Sequence, residues 1–155
     1  MRTISLDDTD RKILRRLQED GRMTNADLAE AIHLSPSSCL RRVRRLEDEG
    51  VIAGYTMLVD GTAVGKPSSV FVEIALNSQS EETLNAFEVA VAECADVMEC
   101  YLMAGDSDYF LRIEVADMAD YERIHKSHLS RLPGVARIRS SFTLRTVCKR
   151  TVYEL

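Results

Sequence analysis

The hydrophobic period of this 155-residue chain changes near residue 70. Before that point apolar residues recur at spacings of three and four, as on one face of a helix. From Val70 they alternate, with Val70, Val72, Ile74 and Leu76 on one side of a strand. A chain with such a switch is expected to fold as two small units, an all-helical one and a mixed one. Each has little core of its own, so pairing with a second copy is an expected source of stability.

In the first unit, Leu6, Ile13, Leu14 and Leu17 form the stripe of a helix that Asp7 or Asp8 caps and Gly21 follows. Thr24 caps a second, short helix with Asp27 three residues on and Leu28, Ala29 and Ile32 on its apolar face. Ser35 and Pro36 are a suitable cap and first residue for a third helix, which runs to about Glu49 and stops at Gly50. Three helices with a short turn before the third are a helix-turn-helix arrangement. The run Val51–Leu58 is strand-like, with Gly54 as a turn, and forms either a small wing or a strand leading away. Domain one is therefore set at 1–60 and a Gly/Pro-marked connector at 61–67.

The remainder, 68–155, reads as strand, helix, strand, strand, helix, strand. A helix opens at Ser80 with Leu84, Phe87, Val91 and Cys94 on one face. Strands Val97–Ala104 and Tyr109–Ala116 flank the turn Gly105–Asp108, a helix runs from Met118 to Leu132, and Pro133-Gly134 precedes a long strand, Val135–Val147. This is the split βαβ order of ferredoxin-like domains, so the fold class is α+β. Two helices cover one face of such a sheet, and a second copy is the simplest cover for the other.

The third helix carries Arg41, Arg42, Arg44 and Arg45 and no acid until Glu47. Net charge is −5 overall, so these four form a local cationic surface on an acidic chain. With Leu40, Val43 and Leu46 as its buried stripe, Ser37, Ser38, Arg41, Arg42 and Arg45 face outward and Arg44 lies near the boundary. A helix fits the major groove of duplex DNA. Ser37, Ser38 and Arg41 are then the candidates for reading bases, and Arg42, Arg44 and Arg45 for holding the backbone. The plainer alternative is a solvated face with arginines paired to the acids after Glu47.

The ordered set Leu6-Asp-x-x-Asp10-x-x-Ile-Leu14, Asp20-Gly-Arg22, Leu28-Ala29, Leu34-Ser-Pro36, Cys39-Leu40-x-Arg42-Val43-x-Arg45-Leu46-Glu47, Gly50-Val-Ile52, Gly54-Tyr55, Gly105-Asp106-x-Asp108-Tyr109 and Leu132-Pro-Gly-Val135 resembles the Lrp/AsnC family of bacterial and archaeal regulators over nearly the whole chain. The resemblance implies an N-terminal winged helix-turn-helix, a C-terminal ferredoxin-like βαββαβ effector domain, and dimers built through that domain that often assemble to octamers. It also implies double-stranded DNA as a partner, and control of amino-acid metabolism with an amino acid as effector. His33 stands where the family often has glycine, and histidine tolerates a left-handed backbone better than most residues. The effector would sit between dimers, against Met103, Ala104, Gly105, Asp106, Asp108 and Tyr109 on one side and Ser141, Phe142 and Thr143 on the other. Asp106 or Asp108 would hold the α-ammonium group, and turn N–H groups the carboxylate. Gly-Asp-Ser-Asp also fills ordinary hairpin turns without any ligand.

Other chemistries find little support. His125 and His128 share a helix face near Glu122, but there is no HExxH and no cysteine pair, so no metal or other cofactor is expected. No serine lies in a Gly-x-Ser-x-Gly elbow, and no nucleotide-binding glycine motif is present, so an enzyme on the ferredoxin-like half is the weaker alternative. A sensor or assembly protein with weak DNA binding is another. Cys39, Cys94, Cys100 and Cys148 are widely spaced, the first ten residues lack an apolar signal core, and no stretch approaches the ~20 apolar residues of a membrane span. A cytoplasmic location without membrane attachment is expected.

Overall fold

The computed structural model describes residues 4–155, which divide into two compact units: the chain up to Leu58 together with Val147–Leu155, and Val59–Thr146. The sequence expectation placed the last nine residues with the second unit. They pack with the first.

The first unit holds α1 (Asp8–Glu19), α2 (Asn25–Ala31) and α3 (Pro36–Asp48). Each start is capped by a side chain. Asp7 accepts from the Asp10 N–H, Thr24 from Asp27, and Ser35 from Ser38. His33, in the turn before α3, has φ of 58°, the left-handed backbone foreseen for it. The core joins Ile13 and Leu14 of α1, Leu28, Ala29 and Ile32, and Cys39 and Leu46 of α3. Residues 53–60 are neither helix nor strand, so the strand expected over Val51–Leu58 is not formed. The N–H groups of Val51 and Ile52 instead close the end of α3 on the Leu46 carbonyl at 2.9 and 3.0 Å. The segment 151–155 lies against α1: the Tyr153 N–H donates to Gln18 Oε1 at 2.7 Å, and the Leu155 side chain joins the partly buried rim of the core.

The second unit is a four-stranded antiparallel sheet of β1 (Ser68–Leu76), β2 (Val97–Leu102), β3 (Tyr109–Val115) and β4 (Val135–Phe142), in the order β2-β3-β1-β4. Helices α4 (Glu81–Ala92) and α5 (Met118–Ser127), the latter followed by a 3-10 turn at Leu129–Arg131, complete the βαββαβ order. Alternation along β1 and β3 sends Val70, Val72, Ile74, Tyr109, Leu111, Ile113 and Val115 into one core with Phe87, Val91, Tyr121 and Ile124 of the helices. The opposite parity builds a second face, where Phe71 stacks on Phe110 with ring centroids 5.5 Å apart and Arg112 pairs with Glu99 and Glu114. β4 ends at Phe142, five residues before the end expected for it.

Candidate functional site

Helix α3 starts at a serine cluster. The Ser35 hydroxyl accepts from the Ser38 N–H at 3.3 Å and donates to the Ser38 hydroxyl at 2.9 Å. Asn25, at the start of α2, donates to the Pro36 carbonyl at 2.9 Å and pins that end of α3 to α2. Ser37, Arg41 and Arg44 are exposed, and Ser38 is half-buried.

The buried stripe of α3 is not the expected one. Cys39 and Leu46 are fully buried with Val43 between them, while Leu40 is 38% exposed. The helix is thus turned so that Arg42, three residues from Cys39 and four from Leu46, faces α1 instead of solvent. Its guanidinium donates to Asp7 Oδ2 at 2.7 Å and to Asp10 Oδ1 at 2.8 Å. Arg45, one turn on, donates to Asp10 Oδ2 at 2.5 Å and lies 4.0 Å from Glu49. The outward orientation expected for Arg42 therefore fails, whereas Arg45 keeps 42% of its side chain exposed and is tied to the same carboxylate. A buried carboxylate draws both in, because an unpaired charge there is far costlier than an ordered arginine. Asp10 is 0% exposed. It also accepts the Asp7 N–H at 3.1 Å, closing a reciprocal capping box. The Asp10 N–H and the Arg42 guanidinium together hold the Asp7 carboxyl down to about 2.

Sequence reasoning overlooked Asp10, yet the signal was present. Leu6, Asp10, Ile13 and Leu17 follow the 4-3-4 spacing of the apolar stripe, so Asp10 occupies a core position and requires a cation.

The residues expected at an effector site fall into two separate groups. Met103, Ala104, Gly105 and Asp106 are exposed in the β2–β3 turn. Asp108 is not free to hold an ammonium group: its carboxylate accepts from the Leu76 N–H and from Gln79 Nε2, both at 2.7 Å. Tyr109 shares the parity of Leu111 and is buried under α4, with its ring against Phe87 and its hydroxyl donating to Glu88 at 2.8 Å. Burial and the Glu88 carboxylate hold its phenol in the neutral form. On β4, Ser141 lies on the open face beside Phe71, whereas Phe142 meets the Tyr121 ring edge-on at 5.0 Å. Thr143 donates its N–H to the Ser69 carbonyl at 3.1 Å, and its hydroxyl is buried without a partner. Ile74 pairs with Tyr109 and Ile138, while Val70 pairs with Phe142. The two groups therefore sit at opposite ends of the sheet, about 13 Å apart along β1, and one chain does not bring them together.

Among the described residues no group of three or more His, Cys, Asp or Glu side chains is placed to hold a metal ion, and no helix is long and apolar enough to cross a membrane.

Two family models match the chain. Residues 6–53 fit a winged helix-turn-helix DNA-binding model, and residues 69–153 fit the Lrp/AsnC ligand binding domain. The Bkd operon transcriptional regulator of Pseudomonas aeruginosa is 43% identical over 150 residues, which are 97% of this chain and 98% of the relative. The leucine-responsive regulatory protein of Escherichia coli K12 is 42% identical over 142 residues, covering 92% and 87% of the two. Among solved structures, an AsnC family transcriptional regulator from Agrobacterium tumefaciens superposes with a TM-score of 0.91 at 38% identity, over 96% of this chain and 97% of that one. A transcriptional regulator from Neisseria meningitidis in complex with L-methionine gives 0.91 at 33% identity, over 97% of each chain. With its helix-turn-helix and its βαββαβ domain both matched, the chain belongs to the Lrp/AsnC family of DNA-binding transcriptional regulators.

Proposed function

We propose that the chain regulates transcription in the cytoplasm as a homodimer or a higher assembly, each copy laying α3 in a major groove, under the control of an amino acid. The observation that carries the DNA half is the free face of α3. Ser37 near its N-terminus and Arg41 and Arg44 along it are exposed. Ser37 stands where bases are read; Arg41, expected from the sequence to read a base, is here assigned with Arg44 to the phosphate backbone. Arg42 and Arg45 are withdrawn from that set. A dimer presents two such helices, which call for a palindromic site with half-sites about one helical turn, or a multiple of it, apart.

The effector half rests on the separation of the two candidate groups. The exposed turn Met103–Asp106 of one copy meets the Ser141–Thr143 segment of another only in an assembly, so ligand binding and assembly are coupled. Asp106 is the turn carboxylate left for an α-ammonium group, since Asp108 is occupied by the fold. The L-methionine held by the Neisseria relative favours an apolar amino acid.

Thermal-shift measurements across the twenty amino acids, followed by selection of duplexes from a random pool with and without each hit, test both halves. A stabilising amino acid whose effect Asp106→Ala abolishes, and selected palindromes, are expected. A hit unaffected by Asp106→Ala rejects the proposed contact, and selected sites without two-fold symmetry reject the dimeric reading.

A further inference from the structure

We infer that Asp10 is a positioning residue of the DNA-binding surface, and that Arg42 and Arg45 act through it rather than on phosphates; the inference rests on α3 being the DNA-facing helix. Asp10 is fully buried, and both of its oxygens are engaged by the two arginines. Arg42 and Arg45 are three residues apart on α3, so their anchors are spaced about 4.5 Å along its axis. One ion pair leaves a helix free to roll about the contact. Two, closing on a single carboxylate, set both its roll and its tilt against α1.

That carboxylate is itself held. The Asp7 N–H donates to Asp10 Oδ2 at 3.1 Å, the Asp10 N–H donates to Asp7 Oδ1 at 2.8 Å, and Asp7 adds a second carboxylate to Arg42 at 2.7 Å. The row Arg41–Arg44 is one residue behind the row Arg42–Arg45, a rotation of about 100° around the helix. Fixing the second row on Asp10 therefore aims the first row, and Ser37 with it. If Arg42 moved to a phosphate, Asp10 would lose a partner inside the core, a costly exchange. The four arginines of α3 thus divide into two that hold the helix and two that face outward.

The test uses the full chain and two duplexes, one selected from a random pool by the unmodified protein and one of random sequence. Affinity is measured by fluorescence anisotropy over a salt series. A cation that contacts phosphate contributes about 0.9 to the slope of log affinity against log salt, and a positioning residue contributes nothing. Arg41→Ala and Arg44→Ala are expected to lower the slope by that amount each. Asp10→Asn is expected to weaken the selected duplex by about tenfold, the scale of losing one base contact, with the slope retained. The random duplex should bind equally well or better, because two guanidiniums are released. Arg42→Gln leaves Arg45 on Asp10 and should also retain the slope, which decides the matter even if Asp10→Asn does not fold. The inference is overturned if Arg42→Gln lowers the slope by about 0.9, or if Asp10→Asn tightens the selected duplex, since in either case the arginines act on phosphate. If Arg41→Ala and Arg44→Ala change neither affinity nor slope, the DNA-facing reading of α3 fails, and the role of Asp10 fails with it.

Discussion

Arg42 of α3 donates at 2.8 Å to Asp10 of α1, a carboxylate with no exposure at all, 32 residues earlier in the chain. An arginine that looks like part of a DNA-contacting face is in fact the counter-charge of a buried acid. The pair ties the scaffold helix to the helix that faces DNA, so stability and presentation depend on the same atoms.

The first consequence is energetic. Asp10→Ala removes the acceptor of three charged or backbone donors at a fully buried position, while Arg42 and Arg45, partly exposed, turn outward to be solvated. A loss of about 2–4 kcal/mol is expected in urea unfolding of the first unit. A change below about 0.5 kcal/mol would mean the network is decorative.

Acid should act on the same corner. The Asp7 carboxyl is held at about 2 in the folded chain, first by the Asp10 N–H and then by Arg42. A folded pKa below the unfolded value contributes stability that is complete above about 4 and is lost as pH falls towards 2. The melting temperature of Asp7→Asn should lie below that of the parent at pH 6, and the gap should close as pH falls through about 2. A gap that persists unchanged to pH 2 would contradict the ion pair.

His33 is a strained point that glycine relieves. Its φ of 58° costs an L-residue roughly 1–2 kcal/mol, and glycine loses roughly 0.5–1 kcal/mol of that advantage to chain entropy. His33→Gly is expected to raise stability by about 0.5–1 kcal/mol, since the side chain is exposed. A lower melting temperature would show that the imidazole makes a contact worth more than the strain.

Gly134 should tolerate no side chain. Its φ is +71°, and a Cβ built there would lie 2.6 Å from Thr83 Cγ2. Gly134→Ala should destabilise the second unit by about 1–3 kcal/mol, and Thr83→Ser should recover only the steric part.

The segment 151–155 should matter to the helices rather than to the sheet. Tyr153 and Gln18 exchange two hydrogen bonds, at 2.7 and 3.3 Å, Arg15 donates to the Leu155 carbonyl, and the Leu155 side chain packs on the first core. Removing these five residues is expected to cost the first unit about 1–2 kcal/mol and to speed proteolysis within α1. Faster cleavage within the sheet instead would contradict the placement.

Much of the fold was legible because its signals are local. Ser35-Pro36, Thr24 and Asp7 mark helix starts through bonds made within three residues, and the parity of Val70, Val72 and Ile74 names a buried strand face by itself. Partners distant in sequence were harder to see. The roll of α3 depends on Asp10, so Leu40 stood in place of Cys39 in the buried stripe, Arg42 was turned the wrong way, and the tie of Arg45 to Asp10 went unseen. The effector residues were carried over from a resemblance, against parity in one case: Tyr109 shares a strand face with Leu111 and had to be buried. Asp108 reads as a free turn acid until Leu76 and Gln79, distant along the chain, are seen to claim both its oxygens. The run Val51–Leu58 has strand-forming residues but no ladder partner in the described chain, and a strand without a partner does not form.

The most direct measurement of the DNA-facing role of α3 is the salt dependence of duplex affinity for the Arg41→Ala/Arg44→Ala double variant beside the parent. The expected result is a much weaker complex whose log–log slope is shallower by about 1.8, two phosphate contacts' worth, with an unchanged melting temperature and assembly state. Parental affinity and slope in that double variant would contradict the assignment of this surface to DNA.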